Sequence, residues 1–328
     1  MSNAPDEVRA WAQARTEART TKDWPEADRL RAAIEAAGWR VIDRGNRFSL
    51  EPARAPDVVE AGRTRYGSSA AVPSILDRPA TAFVTVVLAA GERPLDLTRS
   101  LAGLRRHAPA GTQVVLVADR PGPEQEAELL AADGPAAEPV GGLAPEIVWT
   151  SEPLGWAGAL NAGLRRAAAP VIVLLDPLVE LTGDLPSQLA GALDDPTVAL
   201  AGPWGLVTDD LRSFEPAAPG DVDAIDGAAL AFRRTEINER GFLDEHFRLP
   251  TNLDIWWSLV LRDEGEDRPP RRAVAVGGDA ARRPAPLPDV VRDEAAGRER
   301  LVRRSFYRVL DRFGARRDLL TGSREPLG

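Results

Sequence analysis

The sequence predicts an α/β protein whose mostly parallel sheet is flanked by helices, preceded by a small module made of a helical hairpin and a β-hairpin. Apolar runs without polar alternation at residues 83–88, 114–117 and 171–175 are typical of parallel strands buried on both faces. A further strand is predicted at 146–150. The first two runs start about thirty residues apart with an amphipathic helix between them, which is the spacing of a right-handed βαβ unit.

The composition excludes several classes of active site. The 328-residue chain has no cysteine, which excludes disulfides, thiolate zinc sites and cysteine nucleophiles. Its two histidines, His107 and His246, argue against histidine-rich metal sites and Ser-His-Asp triads. A net charge of −9 argues against general binding of polyanions. No apolar run approaches the ~20 residues of a membrane span and the N-terminus has no signal-peptide core, so we expect a cytoplasmic protein.

Residues 1–52 are predicted to form the small N-terminal module. Asp23 is the expected N-cap of its second helix, with Glu26 completing a capping box, and Gly38 is the expected stop. The segment ARTEARTTKDWPEADRLRAAIEAAGWRVID resembles the small C-terminal domain of cysteinyl-tRNA synthetases, which implies contact with tRNA. Because basic and acidic residues nearly balance in the module, a docking or stabilising role is favoured over tRNA binding.

The segment at 53–80 is predicted to be a linker with a short helix around Val58. A domain at 81–285 and a C-terminal helical segment at 286–328 follow it. The long helix of that last segment alternates apolar residues with arginines. It is predicted to pack back on the sheet, and the alternative is a basic amphipathic face that contacts an anionic membrane.

Acidic residues are predicted at the edge of the sheet where ligands bind. Asp176 directly follows the buried strand at 171–175 and lies at its carboxyl end, where it either serves function or only starts a turn before Pro177. Asp254 is in the first turn of a later helix beside two tryptophans. A carboxylate in such a place suits a general base, and a partner of the helix dipole is the alternative.

The glycines in LGWAGALNAG do not match G-x-G-x-x-G, which argues against a dinucleotide site. The order VTVVLAAGERP, VVLVAD, SEPLGWAGALNAG, VIVLLD, DGAALAFRR, GFLDEHF and DIWWSLVLRDEG resembles the family 2 glycosyltransferases of the GT-A fold over roughly residues 81–265. The resemblance implies transfer of a sugar, with inversion, from a nucleotide-diphosphate sugar to a hydroxyl of a saccharide or lipid-linked acceptor. It implies Asp254 as the catalytic base. It also implies a set of donor-binding residues: Glu92, Asp119, Gly155, Asn161, Asp226 and Gly227.

The same resemblance implies a Mn²⁺ or Mg²⁺ site at a D-x-D motif, and here the chain departs from the pattern. The motif reads Asp176-Pro177-Leu178, so Glu180 is the nearest substitute for the missing carboxylate. The histidine expected after the last strand is also absent, and Asp279 is the acidic residue there. An opposite charge near 4 Å contributes about 4 kcal/mol at an effective dielectric of ~20, so arginines would have to replace the ion.

Five arginines near suitable elements are candidates for that replacement: Arg120, Arg233, Arg234, Arg271 and Arg272. Two further readings stay open beside an active enzyme. The broken D-x-D motif favours a catalytically degenerate glycosyltransferase-like protein that binds a nucleotide sugar, and the N-terminal module allows an RNA-associated protein.

Overall fold

The structure is a computed structural model that describes residues 4–44, 47–91, 93–133, 138–283 and 295–321. Within these ranges the helices are α1 (Asp6–Thr20), α2 (Trp24–Ala36), α3 (Pro94–His107), α4 (Pro123–Asp133), α5 (Trp156–Leu164), α6 (Leu185–Ala192), α7 (Thr235–Arg240), α8 (Leu253–Arg262) and α9 (Ala295–Phe313). The strands are β1 (Trp39–Arg44), β2 (Arg47–Pro52), β3 (Val58–Glu60), β4 (Arg63–Tyr66), β5 (Val84–Ala89), β6 (Thr112–Ala118), β7 (Glu146–Thr150), β8 (Val171–Leu175), β9 (Glu180–Leu181), β10 (Val198–Gly202), β11 (Gly205–Val207), β12 (Glu215–Ala217), β13 (Gly220–Val222), β14 (Ala224–Ile225), β15 (Ala229–Arg233), β16 (Arg272–Ala275) and β17 (Ala281–Arg282).

The central sheet has the order β13-β16-β10-β15-β8-β5-β6-β7-β4-β3 in the described part of the chain. Strands β8, β5, β6, β7 and β4 run parallel, whereas β15 lies antiparallel between β8 and β10. All six residues of β5 are buried. Alternate side chains of β5 enter two cores, because Val86 belongs to the core that includes residues of α3, α4 and α6, and Val87 to the core that includes residues of α5 and α8. The mostly parallel α/β fold predicted from the apolar runs is confirmed.

The N-terminal helical pair and β-hairpin are also confirmed. Asp23 caps α2 by accepting a hydrogen bond from the backbone N–H of Glu26 at 3.2 Å. The module has a core of its own around Val8, Ile34 and Leu50. Strands β1 and β2 pair antiparallel, and the ion pair between Arg15 and Asp43 at 2.9 Å ties α1 to the hairpin.

The short helix predicted around Val58 is wrong, because the structure has the β3–β4 hairpin there. Val58 and Val59 are β-branched and favour extended backbone. The turn residues Ala61 and Gly62 have φ angles of 49° and 77°, a left-handed pair that suits a two-residue hairpin turn. Strand β4 pairs parallel with β7, so the segment between the N-terminal module and β5 extends the central sheet.

Helix α9 packs on α8 through its apolar residues. The rings of Trp256 and Phe313 meet edge to face with their centroids 5.5 Å apart. Buried Arg262 anchors the chain after α9, because its guanidinium donates to the carbonyl of Leu319 at 2.7 Å. In the part of the chain that the structure describes, no helix has both the length and the apolar character needed to cross a bilayer. Membrane contact through the exposed arginines of α9 stays a prediction.

Candidate functional site

A large cavity of about 710 Å³ opens where β5 and β6 end at their carboxyl edge. Ala90, Asp119, Gly155, Trp156 and Arg248 are among the residues that line it. A second, small cavity of about 30 Å³ adjoins it, since Trp156 also lines the second one. Both cavities therefore lie at the carboxyl edge of the sheet, the edge where open α/β sheets bind ligands.

Asp119 holds the loop that forms one wall of the large cavity. Its carboxylate accepts hydrogen bonds from the backbone N–H groups of Leu154 at 2.7 Å and Gly155 at 3.1 Å, and from the Thr150 hydroxyl at 3.0 Å. Burial raises the pKa of Asp119, and these bonds together with the charge of Arg248 oppose the rise. Asp119 therefore faces the cavity and fixes the loop at the same time.

Gly155 starts α5 with a φ of 78°, a left-handed angle that favours glycine. A Cβ atom at this position would lie 2.7 Å from Nε of Arg248, so the missing side chain lets the arginine lie against the start of the helix. Arg248 also donates to the carbonyl of Pro153 at 3.1 Å. Arg248 is not predicted from the sequence, because a loop far along the chain brings it back to this wall.

The small cavity is lined by Asp176, Gly227 and Asp254, which come from the turn after β8, the turn between β14 and β15, and helix α8. Asp176 follows β8, and its carboxylate accepts from the N–H of Leu178 at 2.8 Å, so it does start a turn. Asp254 begins α8 and accepts from the N–H of Gly227 at 3.1 Å. A Cβ atom at Gly227 would lie 2.9 Å from Cβ of Asp254, so this close approach requires glycine.

Asp176, Asp226 and Asp254 form what we call the acidic cluster. Burial raises the pKa of Asp254 to about 6, and the charge of Asp226 acts in the same direction. Burial also raises the pKa of Asp176, which Asp226 and the buried Asp96 raise further and Arg283 lowers. The charge of Asp226 therefore acts on the protonation of both Asp176 and Asp254, with Arg283 as a positive charge near Asp176.

Arg283 is the second functional candidate that the sequence analysis missed. Its guanidinium forms an ion pair with Asp226 and lies over the ring of Trp204, 5.0 Å from the ring centroid. The segment after the last strand of the sheet places it there, next to β17. The nearest signal in the sequence is that Arg283 follows shortly after residues 273–280, where the histidine of the resembling family is expected and Asp279 is found.

The other residues predicted from sequence lie elsewhere. Asn161 is buried on α5, where its amide donates to the carbonyl of Leu243 at 2.8 Å and accepts from the N–H of Leu243 at 3.0 Å. It lines a separate cleft of about 520 Å³ with Arg54 and Arg165. Glu92 lies outside the described residues.

Of the five arginines proposed as substitutes for the ion, Arg120 lines the large cavity. The other four are engaged at a distance from it. Arg233 and Arg234 donate to backbone carbonyls, Arg271 pairs with Glu236, and Arg272 pairs with Asp221.

The described residues do not fit a divalent metal site. Among them, no group of three histidine, cysteine, aspartate or glutamate side chains is arranged to hold an ion. Glu180 pairs with Arg282 at 2.8 Å across the small β9–β17 ladder. Asp279 is exposed, and its carbonyl accepts from the Thr182 hydroxyl. The predicted pair Asp176 and Glu180 therefore lacks further ligands in the described chain.

No protein-family model matches the chain. A crystal structure of GalNAc-T7 with UDP, GalNAc and Mn²⁺ superposes with a TM-score of 0.53 and 15% identity, covering 70% of this chain and 48% of that one. The fold is that of the GT-A glycosyltransferases. Mannosyltransferase PcManGT from Pyrobaculum calidifontis in complex with GDP-Man and Mn²⁺ gives a TM-score of 0.45 and 19% identity, over 69% of this chain and 62% of that one.

The N-terminal part of the chain is similar to a different class of protein. It is 47% identical over 53 residues to a cysteine–tRNA ligase from Opitutus terrae. The match covers 16% of this chain and 12% of the ligase, so the chain spans a small fraction of that enzyme's length.

Proposed function

We propose that the protein is an inverting glycosyltransferase that takes its sugar from a nucleotide-diphosphate donor, as the family 2 resemblance implies. The observation that carries this proposal is the position of Asp254. Its carboxylate lines a small cavity that adjoins the large one, and its pKa is raised to about 6. At neutral pH such a carboxylate is ionised and still basic enough to accept a proton from a hydroxyl group.

The nucleoside of the donor would occupy the large cavity, beside Asp119 and Gly155. The sugar would then extend from the large cavity towards the small one, which Gly227 and Asp254 line. Donors of this class support the assignment, since the similar GalNAc-T7 structure contains UDP and GalNAc. The acceptor would be a saccharide or a lipid-linked saccharide, whose hydroxyl enters next to Asp254.

In the reaction, Asp254 removes the proton of the acceptor hydroxyl while the oxygen attacks the anomeric carbon. The new oxygen–carbon bond forms on the face opposite the donor phosphate. The carbon–oxygen bond to the phosphate breaks, and the nucleoside diphosphate leaves with the bonding electrons. Attack from the opposite face inverts the anomeric centre. Alignment of the two substrates along this line supplies much of the rate enhancement.

A second candidate is a protein that binds a nucleotide sugar without transferring it. The lack of a metal-binding group among the described residues favours it. Both a glycosyltransferase and a non-catalytic protein would bind the donor, but only the first would turn it over. Measuring donor binding and turnover together therefore separates the two candidates.

The test is the Asp254→Asn variant of the full chain, with UDP-, GDP- and dTDP-sugars as donors. We expect turnover, measured as donor hydrolysis or transfer, to fall roughly 10³-fold, because a positioned general base contributes about 10²–10⁴-fold. Donor affinity from calorimetry should stay within about twofold, since Asp254 acts on the acceptor.

The matched control is Asp267→Asn, which removes an exposed carboxylate in the loop after α8. It should leave turnover unchanged. Full activity of Asp254→Asn would rule out the assigned base. Donor binding without turnover in the wild-type protein, across the donor panel, would favour the non-catalytic candidate.

For the N-terminal module of residues 1–52 we propose a docking or stabilising role. Its arginines are largely balanced by acids within the module. Arg15 and Arg19 both pair with Asp43, and Arg29 pairs with Glu26. Such internal pairing leaves few free charges for the phosphates of a tRNA.

A further inference from the structure

The carboxylates of the acidic cluster would repel the diphosphate of a donor unless a cation lay between them. The three carboxylates lie around one turn, because Asp254 accepts from the N–H of Gly227 at 3.1 Å and the N–H of Asp176 donates to the carbonyl of Ala228 at 2.8 Å, close to Asp226 in the chain. The donor would bring further negative charge to the same place, and the leaving group gains more as the sugar departs. The site therefore needs a positive charge close to Asp226.

Arg283 provides such a charge from a defined position. The neighbouring residues 281–282 form β17, whose backbone pairs with β9, and this ladder fixes the backbone just before Arg283. The Arg283 guanidinium pairs with Asp226 and lies over the Trp204 ring.

Trp204, whose ring lies beneath the Arg283 guanidinium, is itself held in place by its neighbours. The carbonyl of Trp204 accepts from the N–H of Asp226 at 3.0 Å. A Cβ atom at Gly278 would lie 2.7 Å from Nε1 of Trp204, so the absence of a side chain there makes room for the ring. Trp204, Asp226 and Arg283 thus form one connected unit.

We propose that Arg283 binds the diphosphate of the donor in the place of a divalent ion, so that this protein binds its nucleotide without a metal. The inference rests on the proposed function. A guanidinium has five N–H donors in a flat fork, so one edge can hold Asp226 while another binds two phosphate oxygens. The carboxylates themselves are engaged otherwise: Asp226 with Arg283 and the N–H of Ala228, and Asp176 with the N–H of Leu178.

The test is calorimetric titration of the full chain with UDP and GDP, and with uridine and guanosine as ligands that lack the diphosphate. Each titration is done with EDTA and again with Mn²⁺. The proteins are the wild type, Arg283→Ala and Arg282→Ala. Arg282 is a matched control, because it is the adjacent arginine and pairs with Glu180 away from the cluster.

We expect the wild-type affinity for the preferred nucleoside diphosphate to agree within about twofold in EDTA and in Mn²⁺. Arg283→Ala should weaken that affinity at least tenfold, because charge-assisted hydrogen bonds of about 1.5–3 kcal/mol convert to roughly 10- to 150-fold. Its affinity for the free nucleoside should not change, and Arg282→Ala should behave as the wild type. If Arg283→Ala does not fold, Arg283→Gln keeps a donor for Asp226 without the charge and serves the same test.

Binding that disappears in EDTA and returns with Mn²⁺, together with equal affinities of the Arg283→Ala and Arg282→Ala variants, would overturn the inference and leave the proposed function standing. Failure of the wild type to bind any nucleoside diphosphate, with or without Mn²⁺, would overturn the proposed function and the inference together.

Discussion

Asp119 and Asp176 each follow a buried parallel strand, β6 and β8, and burial raises the pKa of both carboxyl groups. Their surroundings differ in the number of hydrogen-bond donors. Asp119 accepts three hydrogen bonds from Thr150, Leu154 and Gly155. Asp176 accepts one, from Leu178, and lies near the like charges of the acidic cluster.

This difference separates the two ends of the cleft. At the large cavity, a satisfied carboxylate holds a loop in place and so supports the folded state. At the acidic cluster, burial and the charge of Asp226 make Asp176 and Asp254 less stable when ionised than they would be in water. Functional sites often retain such strain at a cost in stability. We therefore expect that removing a carboxylate destabilises the first end and stabilises the second.

The largest expected effect is at Asp254. Its pKa of about 6 lies above the ordinary value of 3.8, so the folded protein holds this proton more tightly than the unfolded chain. The stabilisation of the folded state by this proton is present at low pH and is lost as the pH rises towards and through 6. For Asp254→Asn we expect a gain of about 2 kcal/mol in the free energy of unfolding at pH 8, which is about 3 from the pKa difference less about 1 for one hydrogen bond.

Urea unfolding of the wild type and of Asp254→Asn, at pH 8 and at pH 4, measures this difference in the free energy of unfolding. Near pH 4 the gain should vanish, because Asp254 is then protonated in the folded protein. A variant that is less stable than the wild type at pH 8 would contradict the idea that ionised Asp254 is under strain. Asp254→Asn is also expected to lose turnover. Ionised Asp254 would then lower the stability of the fold and at the same time be required for activity.

The second effect is a loss of stability, and we expect it when Asp119 is replaced. Replacement by alanine leaves three donors without their acceptor, and we expect the free energy of unfolding to fall by about 2 kcal/mol. Asp119→Asn is the informative companion. Leu154 and Thr150 both donate to Oδ1, which asparagine retains, whereas Gly155 donates to Oδ2, which it does not.

Asparagine at position 119 loses the bond from Gly155 but also removes a charge that burial disfavours, so the free energy of unfolding should fall by less than the ~2 kcal/mol expected for alanine. Urea unfolding at pH 7 gives both values. If both variants matched the wild type, Asp119 would not hold the loop, and the contrast between the two ends of the cleft would fail.

The sequence predicts the parts of the site that follow directly from buried strands. Asp119 and Asp176 are the first charges after apolar runs, so their place at the sheet edge follows from the strand assignments alone. The contact between Gly227 and Asp254 joins two residues that the family resemblance singles out. The N-cap at Asp23 is likewise a local pattern with a local cause.

Arg248 and Arg283 are not predicted from the sequence, because their positions at the cleft are set by the paths of loops. Arg248 reaches the start of α5 across a long separation in sequence, and Arg283 reaches Asp226 after the last strands. Arginines are frequent in this chain, so composition does not distinguish these two from the rest. Glu180 is predicted as a metal ligand because it is close to Asp176 in sequence. In the structure it pairs with Arg282, a contact that sequence distance does not reveal.

The smallest expected effect is at Asp176, where the change tests the acidic cluster directly. Asparagine keeps an oxygen that can accept from the N–H of Leu178, and it removes the charge that burial, Asp96 and Asp226 all disfavour. We expect Asp176→Asn to raise the free energy of unfolding at pH 7 by about 0.5–1 kcal/mol, which is typical of one partly screened pair of charges.

The control for this change is Asp263→Asn, at the end of α8. Burial alone would raise the pKa of Asp263, but hydrogen bonds from Arg316 and Gly265 outweigh it and the pKa is lowered. Its ionised form therefore supports the fold above its unfolded pKa, and Asp263→Asn should lower stability at pH 7. Opposite signs for the two variants would show that the acidic cluster differs from an ordinary paired aspartate. Equal losses would mean that Asp176 is held by its turn alone and that repulsion within the cluster is negligible.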